Sequence, residues 1–166
     1  MAKVINRHLL LNIPVAVIVL LLQFDSFIFD GVFGIFPLFP LALTVALSMF
    51  ASELGAFLCG TVIGAFVDSS SGAHFSFNTV FYSLIAVTVS LLVHYLFNNN
   101  VRACIVLSFF SALILSSLRF IVSYYTVGFN NMFKHFLNGI VPSALITAIA
   151  AVLLYYIEKK IFKASR

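Results

Sequence analysis

The chain has 166 residues, of which 63% are hydrophobic and 8% charged, and it carries a formal net charge of +4. Soluble domains carry about 25% charged residues, and a domain of ~150 residues leaves about 30% of its chain surface in water, so composition excludes a water-soluble fold and makes lipid the expected solvent. The basic residues are few and lie mainly at the two ends of the chain, a pattern that fits membrane topology and argues against nucleic acid as a partner.

At about 20 residues per span, the apolar runs predict an all-α membrane protein. They form a compact bundle of about six transmembrane helices in a single integral membrane domain covering 1–166, with spans near 9–29, 36–51, 54–68, 77–97, 101–125 and 139–157. In the first span, Lys3 and Arg7 precede Leu9–Leu22 in the manner of a signal peptide. No small-x-small cleavage site follows, and Gln23-Phe24-Asp25 then leads into Phe-rich sequence, so an uncleaved first span is expected. Pro37 and Pro40 sit at the start of the second span, where the first helical N–H groups are unpaired in any case. Only Ala51-Ser52-Glu53 separates the second span from the third, which predicts a tight helical hairpin with one continuous apolar exterior. The longest loop, Thr126–Asn138, is too short to fold by itself, and Pro142 falls in the first turn of the sixth span.

Six spans place both termini on one side. Lys3, Arg7, Arg102, Lys159, Lys160, Lys163 and Arg166 then share that side, whereas among the opposite loops only Lys134 is basic, so both termini are expected in the cytoplasm. With no Trp in the chain, tyrosines must furnish any aromatic belt. Tyr95, Tyr155 and Tyr156 fall at expected inner ends, and Tyr82, Tyr124 and Tyr125 at outer ones.

The third span is the most informative. Ala56, Gly60, Gly64 and Asp68 recur every four residues and so form one face of a helix, small until it reaches a carboxylate. Small residues admit a neighbouring backbone, and the stripe is read either as internal helix packing or as a docking face for a partner's helix. Asp68, followed by Ser69-Ser70-Ser71-Gly72, ends the span. It is read either as an interfacial carboxylate reached by water or as one half of a buried ion pair. Arg119 is the candidate partner: at ~1.5 Å per residue it lies about 27 Å along the fifth span and Asp68 about 21 Å along the third, a similar depth in one leaflet. Snorkelling of Arg119 to the surface is the alternative.

Motifs of chemistry are missing. The chain has no HExxH, Walker A loop, GxSxG elbow or paired carboxylates on one helix. His8, His74, His94 and His135 are scattered, so interfacial hydrogen bonding is expected of them in place of metal ligation. Cys59 and Cys104 lie in apolar runs without a CxxC and read as buried free thiols. No enzyme, cofactor or metal site is expected.

The run Gly60-Thr-Val-Ile-Gly64-Ala65-Phe-Val-Asp68-Ser-Ser-Ser71-Gly72, with Asn78 opening the next span, resembles the central signature of the MreD family of bacterial rod shape-determining membrane proteins. Pro37 and Pro40, Glu53, Asn138-Gly139 and Pro142 before a final basic-ended helix extend the resemblance over nearly the whole chain. It implies a non-enzymatic scaffold in the bacterial cytoplasmic membrane that binds the bitopic protein MreC. Through the elongation complex it would work with MreB, the shape/elongation glycosyltransferase and a penicillin-binding transpeptidase in lateral peptidoglycan synthesis. Ala56, Gly60, Gly64, Asp68, Ser71 and Gly72 would be its packing or partner-binding residues. The family is also similar in fold to the substrate-binding S components of energy-coupling factor vitamin transporters, which is the alternative function. The first span lacks the Ala-xxx-Ala docking pattern of such components.

Overall fold

The computed structural model describes residues 14–21, 23, 37–70, 76–97, 99–127 and 139–165. These residues form six helices and no strand: α1 (14–21), α2 (Phe39–Ser48), α3 (Glu53–Ser70), α4 (Phe77–Tyr95), α5 (Val101–Val127) and α6 (Val141–Ser165). The last four are each long and apolar enough to cross a membrane. Their bounds follow the expected third to sixth spans closely at the N-terminal ends. At its other end α6 runs well past the expected residue 157, because Glu158, which reads as polar punctuation, is fully buried and Phe162 packs back on the bundle.

The expected second span is corrected. Residues 39–48 make a helix of 10 residues, about 15 Å long, or half the ~30 Å of a hydrocarbon core. It has no apolar exterior either, since every residue from Pro40 to Ser48 is buried. A helix apolar on all sides belongs inside a bundle, and α2 touches α3, α4, α5 and α6. The tightest pairing is therefore α3 with α4, and not the expected hairpin of the second and third spans. Much of the expected first span, and residues 128–138 of the expected loop, lie outside the described residues, while Thr126 and Val127 of that loop belong to α5.

A helix that begins inside a bundle must find acceptors for its first N–H groups, because no water is there to supply them. Pro40, in the first turn, removes one donor. The Leu38 N–H donates to the Thr147 hydroxyl of α6 at 3.0 Å, and the Phe39 N–H donates to Gln23 Oε1 at 3.1 Å. Thr147 and Gln23 thus cap α2 from other elements.

The far end of α2 is tied in the same manner. The Asn99 amide donates to the Met49 carbonyl at 3.0 Å, the Tyr155 hydroxyl donates to the Asn99 carbonyl at 3.1 Å, and the Ser90 hydroxyl donates to the Ala51 carbonyl at 3.1 Å. Phe50 lies between Tyr155 and Phe162, with ring centroids 5.3 and 5.5 Å away. The 49–52 turn, the 96–100 turn and the late turns of α6 consequently share one end of the bundle. Among the described residues that end also carries Arg102, Lys159, Lys160 and Lys163.

Cys104 is buried and its thiol approaches the Ala151 carbonyl across the α5–α6 contact at 3.6 Å, whereas Cys59 is only half-buried. Tyr82, expected in an outer belt, is instead 1% exposed, and its backbone carbonyl faces Gly60 of α3.

Thr147→Val keeps the side-chain shape but strips the buried Leu38 N–H of its acceptor. Thermal unfolding in detergent is expected to show a loss of about 1–3 kcal/mol. Thr61→Val, whose hydroxyl bonds only the Phe57 carbonyl of its own helix, is expected to change stability by less than about 0.5 kcal/mol.

Candidate functional site

Ala56, Gly60, Gly64 and Asp68 are all buried, and the last three of the stripe meet α4. The reason for glycine is steric. A Cβ on Gly60 would come within 2.7 Å of the Tyr82 carbonyl oxygen and 2.8 Å of the Ala86 Cβ. On Gly64 it would come within 2.6 Å of the Thr79 Cα and 2.8 Å of the Asn78 carbonyl oxygen. The two backbones therefore approach closer than any side chain permits. Of the two readings of the stripe, internal packing is the one this geometry supplies, because α4 already occupies the face.

The close approach delivers Asp68 to the start of α4. That helix opens after Ser76, whose side chain makes no capping hydrogen bond. Asp68 supplies the cap instead. Its Oδ1 accepts from the Asn78 backbone N–H at 3.1 Å and from Asn78 Nδ2 at 2.7 Å. Its Oδ2 accepts from the Thr79 backbone N–H at 2.8 Å and from the Thr79 hydroxyl at 2.7 Å.

An ionised carboxylate is acceptor-only, with about four lone-pair sites, so two donors on each oxygen suit it well. Its negative charge also meets the positive end of the α4 dipole, an interaction of up to ~2 kcal/mol when partly buried. Asp68 is 6% exposed, which makes these bonds important, because a charge in a membrane interior is costly without partners.

Arg119 joins the same cluster. Its Nη2 donates to the Asn78 side-chain oxygen while the Asn78 amide nitrogen donates to Asp68. The structure thus brings Asp68 and Arg119 into one network with Asn78 between them, and the two residues share a depth because both meet Asn78. The link also has a mechanical role. The α4–α5 contact is otherwise sparse, so Arg119 fastens the α3–α4 hairpin to the rest of the bundle.

Ser71 and Gly72 lie outside the described residues. Asn78 entered the sequence reading only as part of a resemblance, Gln23 only as the polar end of the first apolar run, and Thr79 and Thr147 not at all. The signal for Asn78 and Thr79 was available: two side chains with hydrogen-bond donors at the second and third positions of a span, opposite a carboxylate one short turn earlier in the chain. Among the described residues no group of three or more His, Cys, Asp or Glu side chains is placed to hold a metal ion.

No family model, curated protein or solved structure matches this chain.

Gly60→Ala and Gly64→Ala each force two backbones apart, and each is expected to lower the stability of the purified protein by about 1–3 kcal/mol. At Gly55 an added Cβ would meet nothing nearer than the Ser52 Oγ at 3.2 Å, so Gly55→Ala is expected to stay within about 0.5 kcal/mol of the parent. Equal losses at all three positions would show that helix flexibility, and not the α3–α4 approach, is what glycine provides.

Proposed function

We propose that this chain is a membrane scaffold of the MreD type, acting in the bacterial cytoplasmic membrane by binding the transmembrane helix of an MreC-like partner and without catalysing a reaction. The observation that carries the reading is that Gly60, Gly64, Asp68 and Asn78, the residues on which the resemblance rests, meet in one contact between α3 and α4. A signature that codes for one rigid hairpin suits a protein whose task is to hold a surface in shape. The basic end of the bundle is its cytoplasmic side in this reading, with Arg102, Lys159, Lys160 and Lys163 obeying the positive-inside bias.

The hairpin also relocates the docking face. With the glycine stripe occupied by α4, the partner's helix meets the opposite side of α3. There Leu54, Leu58 and Val62 repeat the four-residue spacing two positions out of step, about 200° around the helix. They are 79%, 61% and 68% exposed. MreB, the glycosyltransferase and the transpeptidase are then reached through the assembled complex.

Co-expression of the tagged chain with the MreC homologue of the same genome is expected to yield a stable complex in detergent. Replacing Leu58 and Val62 together by Ala is expected to lower capture by about fivefold or more, the scale of an interface residue worth over 1 kcal/mol, with the melting temperature held. Tight binding of a vitamin by the purified chain, together with no capture of MreC, would overturn the proposal in favour of a transporter S component.

A further inference from the structure

Of two grooves on the described surface, the one between α1 and α6 is lined by apolar side chains alone, among them Val15, Ile18, Leu153 and Ile157. The other, of about 250 Å³, is different in kind because it is amphipathic along one direction. Its mouth lies at the turn between α4 and α5 and carries Asn100 and Arg102. Its floor is apolar: Leu96 and Phe97 lie in the same turn as Asn100, and Val106 and Leu107 lie one turn further along α5 than Arg102.

The mouth favours an anion for two independent reasons. Arg102 is exposed and offers a planar fork of donors suited to phosphate oxygens. The first N–H groups of α5 also open there, since the helical ladder starts with the Cys104 N–H donating to the Asn100 carbonyl, and a helix N-terminus attracts negative charge. The floor favours hydrocarbon. Leu96, Phe97 and Val106 are 74%, 45% and 46% exposed. One class of molecule carries an anionic phosphodiester linked through glycerol to acyl chains and is present wherever such a bundle sits.

We infer that the groove at the α4–α5 turn is a binding site for an anionic phospholipid, with the phosphodiester at Arg102 and Asn100 and the upper part of an acyl chain along Val106 and Leu107. The lipid would brace the two helices, whose mutual contact is sparse. The inference does not depend on the scaffold reading, because it uses only the groove and the charge at its mouth.

Native mass spectrometry of the purified full chain, titrated with phosphatidylglycerol or with phosphatidylcholine of the same acyl composition, tests it. The parent is expected to retain phosphatidylglycerol in preference. Arg102→Gln is expected to cut that retention about fivefold, as for one basic residue at a membrane surface, while Arg102→Lys keeps most of it. Lys163→Gln, at the same end but outside the groove, is expected to leave it unchanged. Val106→Trp, which fills an exposed part of the floor, is expected to weaken both lipids. Equal retention of the two lipids by the parent, equal losses from Arg102→Gln and Lys163→Gln, or a second copy of the chain bound in place of lipid would each overturn the assignment.

Discussion

Inside a bilayer no water completes the hydrogen bonds of a helix end, so every helix that starts or stops there must borrow its partners from another part of the protein. This constraint explains most of the polar side chains whose placement composition alone leaves puzzling. Gln23 and Thr147 serve the start of α2, Asn99, Ser90 and Tyr155 serve the turns at the basic end, and Asp68 serves the start of α4. None of these residues caps its own helix. Each cap instead fixes the position of one element against another, so that satisfying backbone groups and setting tertiary register are one event.

Asp68 shows how the constraint couples to packing. Four hydrogen bonds to α4 require its carboxylate to reach the second and third residues of that helix. Reaching them requires α3 and α4 to approach until a single added methyl group at Gly60 or Gly64 would collide with backbone atoms. Close approach gains dispersion contacts where lipid offers no hydrophobic drive between helices. The same approach encloses the carboxylate, which raises the cost of losing any of its donors. Stripe and carboxylate are therefore two halves of one device, and Arg119 extends it to α5 through the Asn78 amide.

The sequence was informative where one physical signal dominated. Hydropathy placed the starts of α3 to α6 within about two residues, because long apolar runs bounded by polar turns have few other solutions in lipid. It failed at α2, where a 16-residue apolar run looks like a short span but contains a 10-residue helix with every face buried. Hydropathy measures apolarity and does not distinguish lipid-facing from protein-facing side chains. Four-residue spacing identified the Gly60 and Gly64 face as a close-packing surface, yet spacing on one helix carries no label for its partner. Tyr82 was assigned to a belt from its position along the chain, whereas its side chain is buried inside the bundle, a distinction that position alone does not make. The roles of Thr79, Gln23 and Thr147 were hidden because a hydroxyl or amide in a span usually bonds to its own helix, as Thr61 and Thr88 do.

The scaffold role proposed for this chain would need a rigid surface more than a reactive group, and the α3–α4 hairpin offers one, with Leu54, Leu58 and Val62 of α3 exposed on its other side. Its rigidity rests on Asp68 capping α4 from another helix, and the amides of Asn78 and Thr79 report that contact directly. Hydrogen exchange read by mass spectrometry over residues 77–82, comparing the parent with Asp68→Ala under conditions where both are folded, measures it. The account predicts that the first turn of α4 exchanges at least tenfold faster in the variant while α6 keeps its protection; unchanged protection of that turn would contradict it.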